Sequence, residues 1–216
     1  MSTPPWLRLF DDQRLQHINR RLMPGRESAV LMLFSGSSDA QSLPGDARVL
    51  LTHRSPSLRT HSGQIAFPGG RVDPEDTDIV DTALREAWEE TGLDRRTVTP
   101  LAQLDEVNVR INRDPVHPIV AYWHTPSVVG VVDPGEADDV FLADVHALLD
   151  PTNRLLVGFD DWSGPAFRYD GYLIWGLTGG LLDTFFQQAG WQEPWDHRTR
   201  YDLMDVLRDS RNNEKH

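Results

Sequence analysis

The stretch Gly69–Leu93, GGRVDPEDTDIVDTALREAWEETGL, constrains this chain more than any other, because it sets a carboxylate-rich helix directly behind a pair of glycines. At about 100° per residue, Glu86, Glu89 and Glu90 fall within one arc of roughly 100°, and Val80, Ala83, Leu84 and Ala87 fill an adjoining apolar arc. Like charges three and four residues apart repel by a few tenths of a kcal/mol. Two readings are open. The glutamates form a solvated acidic face, or they share a compensating cation. A divalent ion that prefers oxygen, magnesium or manganese, meets the second requirement.

The segment just before it is charged with the opposite sign. Within LLTHRSPSLRTHSGQIAFPGG, Leu50 to Gly70, His53, Arg54, Arg59 and His61 lie close together with no acidic residue between them. Guanidinium forks match phosphate geometry, so the segment reads either as an anion pocket or as a loop with solvated arginines. Phe67-Pro68-Gly69-Gly70 reads as a turn, with Pro restricting the entry and the glycines allowing close backbone approach.

Arg85-Glu86-Ala87-Trp88-Glu89-Glu90-Thr91-Gly92-Leu93 resembles the helical end of the Nudix hydrolase signature, Arg-Glu-apolar-x-Glu-Glu-x-Gly-apolar, at every fixed position. Upstream, the family pattern places a Glu after Gly plus five residues and then seven residues before the Arg. Here Gly70 plus five leads to Asp76 and eight residues follow, so the motif does not assign Asp76 a role. The string before the helix resembles the signature of the coenzyme A pyrophosphatase branch: Leu50, Leu51, Thr52, Arg54, Ser55, Arg59, Gly63, Phe67, Pro68, Gly69 and Gly70 match in register, with Gln64 where members often carry Glu. The resemblance is continuous from Leu50 to Leu93.

That resemblance implies an α/β fold, the Nudix-type α/β/α sandwich with a mixed sheet. It implies catalytic roles for Glu86, Glu89, Glu90 and Arg85, with Arg85 orienting a neighbouring glutamate. Magnesium or manganese would be held by Glu86, Glu89, Glu90 and the Gly70 backbone carbonyl, and substrate by Arg54, Arg59, His61, Gly69 and Gly70. Nudix enzymes often take one more acidic residue from later in the chain, for which Glu136 and Asp139 are candidates against a solvated turn. The reaction implied is hydrolysis of the pyrophosphate of coenzyme A or its thioesters. Hydrolysis of ADP-ribose or another nucleoside diphosphate derivative is the nearest alternative. A non-catalytic nucleotide-binding Nudix module is the alternative of another class, disfavoured because all three glutamates are retained.

Composition bounds the rest. A chain of 216 residues, 39% hydrophobic, suffices for one sizeable core. A net charge of -12 argues against a general nucleic-acid binder. The chain has no cysteine, which excludes a disulfide framework or thiol nucleophile and is compatible with a reducing cytoplasm. The N-terminus lacks the apolar run of a signal peptide. Tyr172 to Phe186 is apolar, but it is shorter than the roughly 20 residues a span needs and contains Asp183. No nucleic-acid or membrane partner and a cytoplasmic location are therefore expected; the small-molecule substrate is what the resemblance implies, with a homodimer left open.

In order, residues 1–27 read as an N-terminal helical extension, with a helix from Pro4 to Met23, then a Nudix domain over 28–207 and a polar, frayed tail over 208–216. Within the domain, strands are expected over Ser28–Phe34, Ala47–Arg54, Thr97–Leu104 and Pro118–His124, an apolar run over Val128–Val132, and a short helix over Asp144–Leu149. Tyr169 to Leu182 reads as the last strand and the start of a closing helix, with Trp175 in the core or serving as a ligand platform.

Overall fold

The computed structural model describes residues 3–8, 23–108 and 114–214. In chain order the elements are β1 (Ser28–Ser35), β2 (Arg48–Arg54), β3 (Ile65–Ala66), β4 (Gly69–Arg71), α1 (Ile79–Thr91), β5 (Val98–Gln103), β6 (Val107–Asn108), β7 (Pro115–Trp123), β8 (Ala137–Asp144), α2 (Val145–Leu149), β9 (Arg154–Phe159), β10 (Trp162–Tyr169), β11 (Tyr172–Ile174), α3 (Gly176–Gln188), β12 (Arg200–Asp202) and α4 (Leu203–Arg208). The chain divides into two compact units. One holds Met1–Leu50 and Phe67–Asp133, the other Leu51–Ala66 and Pro134–His216.

In the first unit, β1 runs parallel to β7, with Ala29 opposite His117, and antiparallel to β4, with Ala29 opposite Gly70. β7 is in turn flanked by antiparallel β5 and β6. The α/β class and mixed sheet expected from the sequence are thus present. A strand with neighbours on both edges and covered faces reads as a continuous apolar run rather than an alternation, and Leu31 to Phe34 are all buried. Of the N-terminal helix expected over Pro4 to Met23, residues 5–8 form a 3-10 turn; positions 9–22 lie outside the described residues. Val128–Val132 joins no strand. It lies at the end of α1, where the amides of Gly130 and Val132 donate to the carbonyls of Thr91 and Glu90 (3.0 and 3.3 Å). Two of the carbonyls left open at a helix C-terminus are satisfied in this way.

In the second unit, β9, β10 and β11 form an antiparallel meander, and β12 adds parallel to β9. The turn between β10 and β11 is Asp170-Gly171 with both φ positive, the backbone a two-residue hairpin requires. Leu155, Val157, Ala166, Leu173, Leu203 and Leu207 make a core against which Trp162 and Trp175 pack. α3 lies so close to β10 that a Cβ on Gly179 would meet the Pro165 carbonyl oxygen at 2.7 Å. Arg154 is buried with its guanidinium between the rings of Phe167 and Trp195, 4.6 and 4.5 Å from their centroids, and it ion-pairs with Asp183. No helix among the described residues is long and apolar enough to cross a membrane.

Residues 208–214 differ from the frayed tail read from their polarity; positions 215 and 216 lie outside the described residues. Arg208 closes α4 and Asn212 is fully buried. The Asn212 side chain is buried there because the Leu173 backbone in β11 takes up its hydrogen bonds, a pairing that composition does not reveal.

Candidate active site

Local chemistry fixes both ends of α1. Asp78 at the N-cap accepts from the Asp81 amide (2.8 Å), and Asp81 reaches back to the Thr77 amide (3.0 Å), a reciprocal cap. At the other end Gly92 takes the left-handed conformation, φ 73°, and its amide donates to the Trp88 carbonyl. The helix buries Ile79, Thr82, Ala83, Ala87, Glu90 and Thr91. Val80 and Leu84 are only half-buried, so the inward face is rotated toward Glu90 relative to the arc drawn from the sequence. The three glutamates are graded as a result: Glu90 is 7% exposed, the Glu86 side chain 17%, and Glu89 44%.

Glu86 and Glu90, one helical turn apart, face consecutive residues of β4. Glu90 accepts a hydrogen bond from the Gly69 amide at 3.3 Å. A Cβ built on Gly70 would lie 2.4–2.5 Å from the carboxylate atoms of Glu86. The second glycine is therefore the space the Glu86 carboxylate occupies, while a Cβ on Gly69 would strike the Ala29 backbone carbonyl at 2.3 Å. These neighbours predict different outcomes. Gly69→Ala meets rigid backbone and should destabilise the fold by about 2 kcal/mol or more. Gly70→Ala meets the end of a side chain and should leave the melting temperature nearly unchanged while displacing Glu86 and lowering activity. Thermal unfolding and turnover measured on both variants check the pair, and equal losses of stability would count against this division of labour.

Arg85 organises the carboxylates. Its Nε and one terminal nitrogen grip both oxygens of Asp76 at 2.8 and 3.0 Å, and the same terminal nitrogen reaches the Arg71 carbonyl at 2.9 Å. The other terminal nitrogen donates to Glu86 at 3.0 Å and to Glu89 at 2.9 Å. Asp76, its side chain only 3% exposed, also accepts from Thr82 and from the Asp73 amide, both at 2.8 Å. Burial alone would raise the Asp76 carboxyl, but the hydrogen bonds from Arg85, Asp73 and Thr82 outweigh it and hold the group below the usual carboxylate range. The bond to Asp76, with the charges of Glu86 and Asp76 beside it, pushes the Arg85 guanidinium up. Asp76, to which the motif assigned nothing, is the anchor of an arginine that touches two of the three glutamates.

Among the described residues no three His, Asp or Glu side chains are gathered around a common point as a finished metal cage. The donor set still fits a hard divalent ion. Glu86 and Glu90 lie against one short stretch of backbone at Gly69-Gly70, with Glu89 tied to Glu86 through Arg85, and all three offer oxygen.

Arg54, Arg59 and His61 belong to the second unit. The loop holding them is stapled by Gly63 N–H to the Arg54 carbonyl (3.0 Å), Arg54 N–H to the Gln64 carbonyl (2.9 Å) and Leu58 N–H to the Ser55 carbonyl (3.0 Å). Arg59 and His61 are exposed, and Gln64 is used locally, its side-chain oxygen 3.0 Å from His61 Nδ1. The Arg54 Nε is buried and finds no acceptor among the described residues. Glu136 is exposed, its carbonyl taking the Ser55 amide (2.8 Å). Asp139 accepts from the Tyr172 hydroxyl at 3.0 Å, and burial together with that bond pushes the phenol up to about 12. Trp175 is half-buried, with its Nε1 donating to Glu214 at 2.7 Å, which places it structurally.

A NUDIX domain model matches residues 30–159. The chain is 34% identical over 173 residues to Nudix hydrolase 15, mitochondrial, of Arabidopsis thaliana, covering 75% of this chain and 58% of that one. It is 33% identical over 185 residues to NudL, an uncharacterized Nudix hydrolase of Escherichia coli O7:K1, covering 80% and 88%. It thus spans little more than half the length of the plant relatives, 58% and 54%. Among solved structures it is similar to RenU, a Nudix hydrolase from M. Smegmatis, at 20% identity and a TM-score of 0.45, covering 61% of this chain and 83% of that one. With the family model matched over more than half its length and NudL covered almost end to end, the chain belongs to the Nudix family.

Proposed function

We propose that this chain is a metal-dependent pyrophosphatase that hydrolyses coenzyme A or its thioesters to phosphopantetheine, or its acyl derivative, and adenosine 3',5'-bisphosphate. The observation that carries the chemistry is the Arg85 fork, which is anchored on buried Asp76 and extends to Glu86 and Glu89. Magnesium or manganese, held by Glu86, Glu89, Glu90 and the Gly70 carbonyl, would neutralise phosphate oxygens and acidify bound water. Arg85 fixes the direction of Glu86 and Glu89 before substrate arrives, so little reorganisation remains for the reaction. Water is the nucleophile: its oxygen forms the new P–O bond, one carboxylate of the set takes the proton, and the anhydride P–O bond breaks. Arg54 and Arg59 contact phosphate. Support for this assignment comes from the buried Arg54 Nε with no acceptor among the described residues.

Coenzyme A is favoured by the motif from Leu50 to Gly70, which resembles the signature of one branch, whereas Arg85 to Leu93 resembles what is common to the family. With magnesium or manganese the protein should therefore cleave coenzyme A faster than ADP-ribose. Mass spectrometry should find phosphopantetheine and adenosine 3',5'-bisphosphate, and dephospho-coenzyme A reports whether the 3'-phosphate is recognised. Equal or faster cleavage of ADP-ribose sinks the coenzyme A reading and leaves the hydrolase; tight binding without turnover points to a non-catalytic module.

A further inference from the structure

We propose that residues 210–214 form a strap that holds the phosphate-binding loop, residues 54–64, in its binding conformation, with Asn212 as the positioning residue. This rests on reading Arg54 and Arg59 as phosphate contacts. One end of the strap is fixed to the β10–β11 hairpin. The Arg211 amide donates to the Gly171 carbonyl (2.8 Å), its guanidinium holds the Asp170 carbonyl and carboxylate (2.9 and 2.8 Å), and it lies over the Tyr172 ring at 4.5 Å. Asn212 then acts as a one-residue strand: its side-chain oxygen accepts from the Leu173 amide (2.8 Å) and its side-chain nitrogen donates to the Leu173 carbonyl (3.0 Å). The same nitrogen donates to Glu214 (2.9 Å), which also receives Trp175 Nε1.

The opposite side of the strap meets the motif. The Asn212 carbonyl accepts from His53 Nε2 at 2.9 Å. It also lies 2.3 Å from where a Cβ on Gly63 would be, with the Glu214 amide nitrogen 2.9 Å from the same point. Gly63 is thus a glycine twice over, for its φ of 74° and for the strap against its Cα. Because the Gly63 amide holds the Arg54 carbonyl and the Arg54 amide holds Gln64, movement of the strap is passed to the backbone that carries Arg54. A purely structural staple would bear on stability alone. A positioning strap also affects how tightly substrate is held.

Asn212→Ala acts from the strap side and Gly63→Ala from the loop side; Glu214→Ala, which removes one bond to Asn212, is the milder variant should either fail to fold. Hydrogen–deuterium exchange over residues 54–64 and the kinetics of coenzyme A hydrolysis are the readouts. Exchange should accelerate in all three variants. KM for coenzyme A should rise about tenfold for the first two and about threefold for Glu214→Ala, with kcat changed by less than about twofold. Unchanged exchange over 54–64, or accelerated exchange with unaltered KM, overturns the proposal. If the wild-type protein does not cleave coenzyme A, the substrate reading falls separately, and KM for the nucleoside diphosphate derivative it does cleave replaces it; if it cleaves none, the Kd for coenzyme A takes the place of KM, and a Kd unaltered in the variants overturns the strap.

Discussion

Glu90→Gln and Glu86→Gln should each lower turnover at least about a hundredfold while leaving the fold intact. Glutamine keeps the volume and one side-chain oxygen, so the acceptor for the Gly69 amide at position 90 and the acceptor for Arg85 at position 86 both survive. What is lost is a negative charge beside Gly69-Gly70, where a divalent ion would be held. Glu89→Gln should cost less, because Glu89 is the most exposed of the three. Steady-state kinetics at low millimolar magnesium, with circular dichroism to confirm folding, test this. A folded Glu86→Gln or Glu90→Gln protein with near-normal turnover would falsify the metal role.

Arg85→Ala should lose both stability and activity, for a different reason. Among the described residues it leaves the buried Asp76 carboxylate with only the Asp73 amide and the Thr82 hydroxyl, and removing one partner of a buried ion pair costs about 3 kcal/mol or more. Lysine is no substitute, since a single ammonium cannot hold both Asp76 oxygens, Glu86, Glu89 and the Arg71 carbonyl. The double variant Arg85→Ala, Asp76→Ala should recover part of the stability, because no carboxylate remains stranded, yet recover none of the activity. Urea unfolding of both single variants and the double closes the cycle. Strict additivity would mean that Asp76 and Arg85 are not coupled as the geometry has them.

How far the sequence could be read depended on whether the determinant was local. The helix Ile79–Thr91 was legible because its periodicity, its caps and its terminal glycine lie within one short stretch. The strands near Ser28–Phe34 and Pro118–His124 were legible because complete burial leaves a continuous apolar run. The rotation that buries Glu90 was not, since it depends on where β1 and β4 lie. The β9–β10–β11 meander escaped because β9 and β10 carry Gly158, Gly164 and Pro165 inside them, which read as breaks, although Asp170-Gly171 was a usable hairpin signal. The polar end of the chain escaped because a buried asparagine satisfied by backbone looks, in sequence, like any solvated one. The two halves of the motif are also held by different cores, the arginines by the second unit and the glutamates by the first, a division that a string running unbroken from Leu50 to Leu93 conceals.

The grip of Asp76 on Arg85 has a consequence for how such a signature should be written. Relative to the family pattern this chain has lost one methylene from the acid and gained one residue between acid and arginine, two changes that a letter-by-letter match scores as separate faults. The fork nonetheless closes on both oxygens at 2.8 and 3.0 Å. In this chain a shorter acid and a longer loop together still bring a carboxylate to the guanidinium. A search framed as a reachable ion pair would therefore retain divergent chains that a fixed spelling discards.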